Sequence, residues 1–349
     1  MRLMNVFGDA AEHVILTAVP GALGARDAID PAIRVSFPGE AAPPLYGKPS
    51  PARYDRLSRY MQGFDLVLTY NWGSMDAVGA RRMFAPFRKL PRLIHHEDGF
   101  NVSESQRLNG KRNLFRRLML PTAERLVVPS QRLEGIAHDI WKLPRARVVR
   151  IPNGIEVGRY AEAPVEGSIP GFIRAPGDVI VGTLAGLRGV KNLPRLVRAV
   201  AAQPPQVKLV IVGEGPERAG IVAEAQRLGI VDRVLLPGFL ADPHRYVGHF
   251  DIFALSSDSE QFPISLVEAM AAGLPAVSTD VGDVRAMVAP ENQALIVSPN
   301  DDDAFARALH DLVLNKGARK SIGAANQTIA RRDYDEAVMI ETYKKIYRI

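Results

Sequence analysis

The 349-residue chain contains no cysteine, which excludes disulfides, thiolate metal sites and cysteine nucleophiles and makes a reducing compartment the natural setting. No apolar run approaches the roughly 18 residues that a bilayer-spanning helix needs. Residues 1–30 hold no charged stretch leading into an apolar one. The expectation is a cytoplasmic protein without a membrane-spanning helix, free or at the inner face of a membrane. Internal repeats and low-complexity tracts are also absent.

What the chain does have is apolar mass and uneven charge. Hydrophobic residues make up 47 % of it, enough for two domains where one core usually serves about 100–150 residues. The formal net charge is +6, but residues 1–150 carry 23 Lys/Arg against 14 Asp/Glu, whereas residues 151–349 carry 21 against 24. Much of the excess lies in ARRMFAPFRKLPR (residues 80–92) and RLNGKRNLFRRLML (residues 107–120), where Arg and Lys interleave with Phe, Leu and Met. Such a composition suits peripheral contact with anionic lipid or a phosphorylated acceptor, and equally a solvated helix face. No recognition motif accompanies the charge, so nucleic acid is not expected as a partner.

Short Val/Ile/Leu-rich runs alternate with helical patterns. Strands are expected at residues 13–19, 33–37, 66–71, 92–97, 125–130 and 147–153, then at 179–185, 208–214, 233–238, 251–257, 275–280 and 294–299. Continuous apolar runs imply strands buried on both faces, and helices between them imply parallel, doubly wound sheets. Two such sets predict an α/β protein of two Rossmann-like domains, residues 1–153 and 154–333, with the boundary in the Gly- and Pro-rich stretch 151–178. Residues 334–349 read as a terminal helix packing back on the amino-terminal domain, with Val338, Ile340, Tyr343 and Ile346 near one stripe.

The amino terminus breaks this pattern. MRLMNVFGDAAEHVILTAV reads as the tail of an amphipathic helix, a Gly turn and a strand. The first strand of a doubly wound sheet, and the ligand-binding turn after it, are therefore expected to be lacking from the first domain. Either Met1 is an internal methionine of a longer product, the preferred reading, or another element fills the slot.

The stretch SSDSEQFPISLVEAMAAG (residues 256–273) carries chemistry. A strand ends near Ser257 and a helix is expected from Pro263, where proline costs little because its missing N–H would be unpaired anyway. Glu260 then lies in the loop and Glu268 in the second helical turn. The free N–H groups of residues 262–265 and the positive helix end make an anion site at the carboxyl edge of a parallel sheet. A nucleotide-sugar fits it: diphosphate over the helix start, with one carboxylate for ribose hydroxyls and one for sugar hydroxyls. Taken alone, the pair also reads as an exposed helix charge and a first-turn dipole partner.

Residues 260–288, EQFPISLVEAMAAGLPAVSTDVGDVRAMV, closely resemble the signature of retaining glycosyltransferases of family 4, which have the two-domain GT-B fold. VGTLAGLRGVKNLPRLVRAV (181–200), KLVIVGEGPE (208–217) and RVLLPGF (233–239) match that family in order and spacing. The resemblance implies two Rossmann-like domains facing a cleft. It makes Glu268 the holder of the ribose, Glu260 that of the donor sugar, and the backbone of Gln261, Phe262, Pro263 and Ile264 the lining of sugar and phosphate. The family usually has glycine where this chain has Gln261, a difference that bears on which donor sugar fits. Lys191 matches the cation that faces the donor diphosphate, but the usual arginine position is Gly186, and Arg188 stands nearby as a substitute. Such fixed cations take the place of the metal that other transferases use. Gly213, in a strand-to-helix turn, allows close backbone approach to a nucleotide. Phe239 lies near the base by resemblance, or is simply a core aromatic.

In the first domain, LIHHEDGFN ends a strand, and His95 aligns with a histidine that faces the reacting sugar in the family. His95, His96, Glu97 and Asp98 also suggest a metal site, but their spacing follows no familiar ligand pattern, and no metal is expected. NDDDAF (300–305) resembles the acidic metal motif of the other transferase fold, yet after a last strand it reads as a helix cap.

The implied function is transfer of a sugar from a nucleotide-diphosphate-sugar, UDP- or GDP-linked, to a glycan or lipid-linked acceptor in cell-surface polysaccharide or glycolipid assembly. No cofactor beyond the donor itself is expected. The alternative is a non-catalytic nucleotide-sugar-binding protein or a truncated, inactive transferase.

Overall fold

A computed structural model of the chain describes all residues except 20, 22, 25, 46 and 100–107. Arg107, the first residue of the second basic cluster, therefore lies outside the described residues. The chain divides into two compact units, Met1–Pro152 with Met339–Ile349, and Asn153–Val338.

Unit 1 contains helices α1 (Arg2–Phe7), α2 (Pro51–Met61), α3 (Met75–Phe84), α4 (Gly110–Met119) and α5 (Gln131–Asp139). Its strands are β1 (His13–Val14), β2 (Val35–Ser36), β3 (Leu66–Tyr70), β4 (Arg92–His96), β5 (Arg125–Val128) and β6 (Val148–Arg150). Strands β3 to β6 form one parallel sheet in chain order, whereas, among the described residues, β1 and β2 pair only with each other. The long strand read over residues 13–19 is thus a two-residue ladder. Its run is half-buried, with Val14 and Val19 exposed, so no second layer covers it.

The period of two in the apolar runs sorts their side chains between two faces. Leu93, Leu126 and Val128 join the cluster under α2, α3 and α5, while Ile94 and Val127 join Phe7, Ile340, Tyr343 and Tyr347 on the other face.

Unit 2 contains β7 (Val179–Leu184), β8 (Val207–Val212), β9 (Val234–Gly238), β10 (Ile252–Leu255), β11 (Ala276–Thr279) and β12 (Ile296–Val297). They form a six-stranded parallel sheet in the order β12-β11-β10-β7-β8-β9. Its helices are α6 (Leu193–Ala201), α7 (Arg218–Arg227), α8 (Ile264–Ala271), α9 (Val284–Met287), α10 (Asp302–Leu314) and α11 (Lys316–Asp333). Val181, Leu209, Ile211 and Ala254 point to one cluster and Ile180, Val210, Val212 and Phe253 to the other, so both faces are buried, as the continuous runs require. The last run, 294–299, contributes only Ile296 and Val297 because Pro290–Leu295 is a 3-10 helix.

The final helix, α12 (Glu336–Tyr347), buries Ile340, Tyr343 and Tyr347. Val338, placed in the stripe by the sequence, is 54 % exposed, and Tyr347 takes up the buried end of the face. Arg92 donates to the carbonyls of Ile346 and Tyr347 at 2.7 and 2.8 Å, capping the helix end.

Candidate functional site

In unit 2 the strand order reverses between β7 and β10, which makes the carboxyl ends of these two strands the place where an open parallel sheet binds ligands. The chain leaves β7 through a 3-10 turn, Gly189–Lys191, and leaves β10 through Ser256 and Ser257. The two loops are stitched together: Ser256 Oγ donates to the Lys191 carbonyl at 2.9 Å, and Asp258 N donates to the Val190 carbonyl at 2.8 Å. Held this way, Lys191 Nζ reaches Glu260 Oε1 at 2.5 Å, and Ser257 Oγ donates to the same oxygen at 2.7 Å. Glu260 Oε2 accepts no hydrogen bond among the described residues.

Pro263 is the cap residue rather than the first helical residue, and α8 starts at Ile264. Glu268, one turn on, accepts from the Tyr160 hydroxyl at 3.2 Å. Tyr246, whose hydroxyl donates to the Leu240 carbonyl, has its phenol pushed up by burial and then by the charge of Glu268.

The backbone that carries these groups depends on two glycines. Gly213, just past β8, has φ +146°, and a Cβ there would stand 1.9 Å from the Ala185 carbonyl oxygen. Gly282 has φ +57°, and its Cβ would stand 2.7 Å from the Glu260 carbonyl oxygen. Any side chain at either position would push apart the loops that form the site.

The remaining residues singled out in the sequence divide clearly. Phe239 is 75 % exposed, which overturns the core reading and leaves its ring available to a flat ligand. Phe262 instead packs edge-on against Tyr334 at 5.6 Å and anchors the loop. Ile264 is exposed at the helix start. Arg188 is exposed and makes no ion pair among the described residues; its Nε lies 3.6 Å from where a Cβ on Gly186 would be, so the side chain folds back over that glycine. Gln261 buries its Oε1 without a hydrogen-bond partner among the described residues, a state that native side chains seldom keep without a ligand or water. NDDDAF caps α10: Asp301 accepts from Ala304 N at 2.7 Å, and Asp302 pairs with Arg195 and Arg198.

In unit 1, adjacent histidines on β4 face opposite sides of the sheet. His95 is fully buried; its Nδ1 lies 2.9 Å from Thr69 Oγ1, and its Nε2, within hydrogen-bond distance of no group among the described residues, faces Glu97 Oε2 at 3.6 Å. His96 is committed to the fold, with Nε2 2.8 Å from the Tyr347 hydroxyl and Nδ1 3.2 Å from the Thr69 carbonyl. Burial lowers the His96 imidazole to about 3, so this ring is neutral.

Glu97 is buried and pairs with Arg116 through Nε at 3.0 Å and Nη2 at 3.2 Å. Arg116, only 1 % exposed, has its guanidinium within about 5 Å of both the Trp72 and Trp141 rings. The sequence reading took Arg116 for part of a surface cluster and missed Tyr160 and Ser257; nothing in the spacing marks any of them. Arg81, Arg88 and Arg92 of the first cluster are likewise engaged, with backbone carbonyls, Asp55 and Glu124 respectively. Among the described residues no group of three or more His, Asp or Glu converges as a metal site.

Comparison with known proteins identifies the family of the chain. Residues 172–328 match the profile described as Glycosyl transferases group 1, and residues 10–159 that of Glycosyltransferase Family 4. The D-inositol 3-phosphate glycosyltransferase of Xylanimonas cellulosilytica is 30 % identical over 303 residues, covering 80 % of this chain and 72 % of the relative. The N-acetyl-alpha-D-glucosaminyl L-malate synthase of Bacillus anthracis is 23 % identical over 270 residues, covering 77 % and 70 %. In fold, the chain is similar to Anabaena HepE, solved in complex with UDP, with a TM-score of 0.72 at 20 % identity over 91 % of this chain and 86 % of that one. With two matched profiles in register with its two units, the chain belongs to glycosyltransferase family 4 and is a glycosyltransferase of the GT-B fold.

Proposed function

We propose that this glycosyltransferase moves a sugar, with retained anomeric configuration and without a metal, from a nucleotide-diphosphate-sugar to a glycan or lipid-linked acceptor, in cell-surface polysaccharide or glycolipid assembly. The observation that carries the reading is the meeting of Lys191 and Glu260 across the switch point of the unit 2 sheet. A donor diphosphate draws Lys191 and the exposed Arg188, and Glu260, relieved of its ammonium partner, accepts hydrogen bonds from the sugar hydroxyls. Glu268, steadied by Tyr160, takes the ribose. The known complexes of HepE with UDP and with UDP-glucose make this donor class the natural one to try first.

The reaction then needs little from the protein beyond position and charge. The bond from the anomeric carbon to the diphosphate oxygen breaks, and the negative charge growing on that oxygen is met by Lys191 and Arg188. The acceptor hydroxyl forms the new bond on the same face, and its proton passes to the departing phosphate. No side chain need act as nucleophile, unlike the retaining hydrolases, whose two carboxylates work about 5–5.5 Å apart. His95 keeps the part that the family resemblance gives it, a hydrogen bond to the reacting sugar or the acceptor.

A lipid-linked acceptor at the inner face of a membrane accords with α4, where Lys111, Leu114, Arg117 and Leu118 are all exposed and recur at helical spacing. Apolar side chains flanked by cations suit an anionic lipid surface.

Calorimetric titration against UDP- and GDP-sugars, without metal and beside Glu268→Ala, tests the donor reading. One donor binding at micromolar level and lost in the variant supports it; a folded protein that binds none of them sinks it.

A further inference from the structure

His95 lies on β4, and Glu97 on its continuation, where Glu97 N still donates to the Val127 carbonyl at 3.0 Å. Two positions apart, the side chains leave the sheet on the same face. Both are fully buried, and Glu97 Oε2 stands 3.6 Å from His95 Nε2. Arg116 holds the carboxylate with two nitrogens, Nε on Oε2 at 3.0 Å and Nη2 on Oε1 at 3.2 Å. The guanidinium is set in turn by the rings of Trp72 and Trp141, and Trp141 Nε1 donates to Asn113 Oδ1 at 2.9 Å, one turn earlier on α4. A buried ion pair adds little net stability, because desolvation offsets the attraction. Stability alone therefore does not account for this pair beside His95.

The ring proton does. In its neutral form an imidazole carries one N–H, and the surrounding groups decide on which nitrogen. Nδ1 lies 2.9 Å from the Thr69 hydroxyl, which can donate or accept there; the other neighbour of that hydroxyl, the Ile94 carbonyl, is at 3.4 Å. With the proton on Nδ1, the lone pair of Nε2 would face the Glu97 carboxylate. With the proton on Nε2, an N–H faces it instead. The protein interior strengthens the repulsion in the first case and the attraction in the second. We propose that Glu97, held by Arg116, is a positioning residue that fixes His95 as its Nε2–H tautomer, with Nδ1 accepting from Thr69. What the ring can still offer is then a donor. It can hydrogen-bond an oxygen of the sugar or the acceptor, but it cannot take the acceptor's proton, which accords with that proton passing to the departing phosphate. The part of His95 in the transfer rests on the reading above; the tautomer does not.

The test is NMR at about pH 8 on protein labelled with 15N in its histidine rings, above the ordinary imidazole value of about 6.5. The chain has seven histidines, and His95→Asn identifies the signal that matters. The expected result is a protonated Nε2 and a bare Nδ1 in the wild type. The Nε2–H share should fall by about half or more in Glu97→Gln, which keeps the shape of the side chain and leaves the Arg116 cation behind. Glu97→Leu with Arg116→Leu removes both buried charges together, a change that proteins tolerate, and keeps the test valid if Glu97→Gln does not fold; the share should fall there too. Calorimetry then takes the UDP- or GDP-sugar that binds tightest. Its affinity should stay within about three-fold of wild type in these variants, while release of the nucleoside diphosphate, with water as acceptor, slows about ten-fold or more, the loss of one hydrogen bond made in the transition state. The proposal is overturned if the wild-type ring carries its proton on Nδ1, if neither variant moves the proton, or if the proton moves and the rate does not change. A wild type that binds none of the nucleotide-sugars undoes the donor reading, and the tautomer alone then decides the proposal.

Discussion

Lys191 Nζ lies 2.5 Å from Glu260 Oε1, so the cation assigned to the donor diphosphate and the carboxylate assigned to the donor sugar neutralise each other. Binding a donor exchanges this pair for two new ones. Lys191→Ala should therefore weaken UDP or GDP binding by about 10- to 150-fold, the loss of one charge-assisted hydrogen bond of about 1.5–3 kcal/mol. Glu260→Gln should leave the affinity for the free nucleotide nearly intact and weaken only the sugar-bearing form. Calorimetry on the two variants with both ligands checks the split.

Tyr160 contacts Glu268 through one hydroxyl at 3.2 Å. Tyr160→Phe keeps the ring and removes a donor that acts on the nucleotide only by positioning Glu268, so affinity should fall about two- to twelve-fold, less than the about 1.5–3 kcal/mol of a direct hydrogen bond to a carboxylate. Glu268→Ala should cost more than ten-fold. Equal losses in the two variants would mean that Tyr160 holds the loop rather than the carboxylate.

The buried Oε1 of Gln261, without a hydrogen-bond partner among the described residues, points to a ligand hydroxyl or amide as its missing donor. Gln261→Gly should change the ranking of donor sugars in a competition assay while leaving the affinity for the bare nucleoside diphosphate within two-fold. An unchanged ranking would remove Gln261 from sugar selection.

Burial holds the His96 imidazole at about 3 in the folded chain, against an ordinary value of 6.5. Below pH 6.5 the unfolded chain takes up a proton that the folded chain refuses. Stability from this group is therefore complete above pH 6.5 and is lost as pH falls towards 3, by up to about 1.4 kcal/mol per pH unit. Both tryptophans, Trp72 and Trp141, lie in unit 1, so urea unfolding followed by tryptophan fluorescence reports on that unit. Between pH 6 and 5 the midpoint should drop, and His96→Phe should flatten the dependence.

If α4 meets anionic lipid, flotation with vesicles containing phosphatidylglycerol should carry the protein at low salt and release it at high salt. Leu114→Asp with Leu118→Asp should abolish flotation without changing nucleotide binding. No flotation by the wild type would leave the α4 face as ordinary solvated surface.

Much of this was legible in the residues. Continuous Val/Ile/Leu runs announced parallel strands because a strand covered on both faces admits few polar side chains, and all six runs of the second half appear as strands of one sheet. Glu260 and Glu268 stand out by their spacing around a helix start, and Lys191 by its place in a motif that resembles the family's. Tyr160 and Arg116 do not, since their partners lie 108 and 19 positions away and only the fold brings them near; Ser257 is three positions from Glu260, but a loop serine does not announce which way its hydroxyl turns. Residues 13–19 misled because β-branched composition speaks for a strand without saying whether another layer will cover it. Val338 misled because helical periodicity does not fix which edge of a stripe meets the core.

The bonds from Arg92 and His96 to Ile346 and Tyr347 span 251 to 255 positions of sequence. During synthesis at about 5–20 residues per second, strand β4 waits on the order of 10–50 s for these partners to be made. Unit 2 is complete by Val338, so the half of the molecule encoded first is the half that finishes folding last. In the interval, the sheet face destined for α12 exposes Ile94 and Val127 to chaperones and to misassembly, a hazard that belongs to the order in which the residues are made rather than to the finished structure.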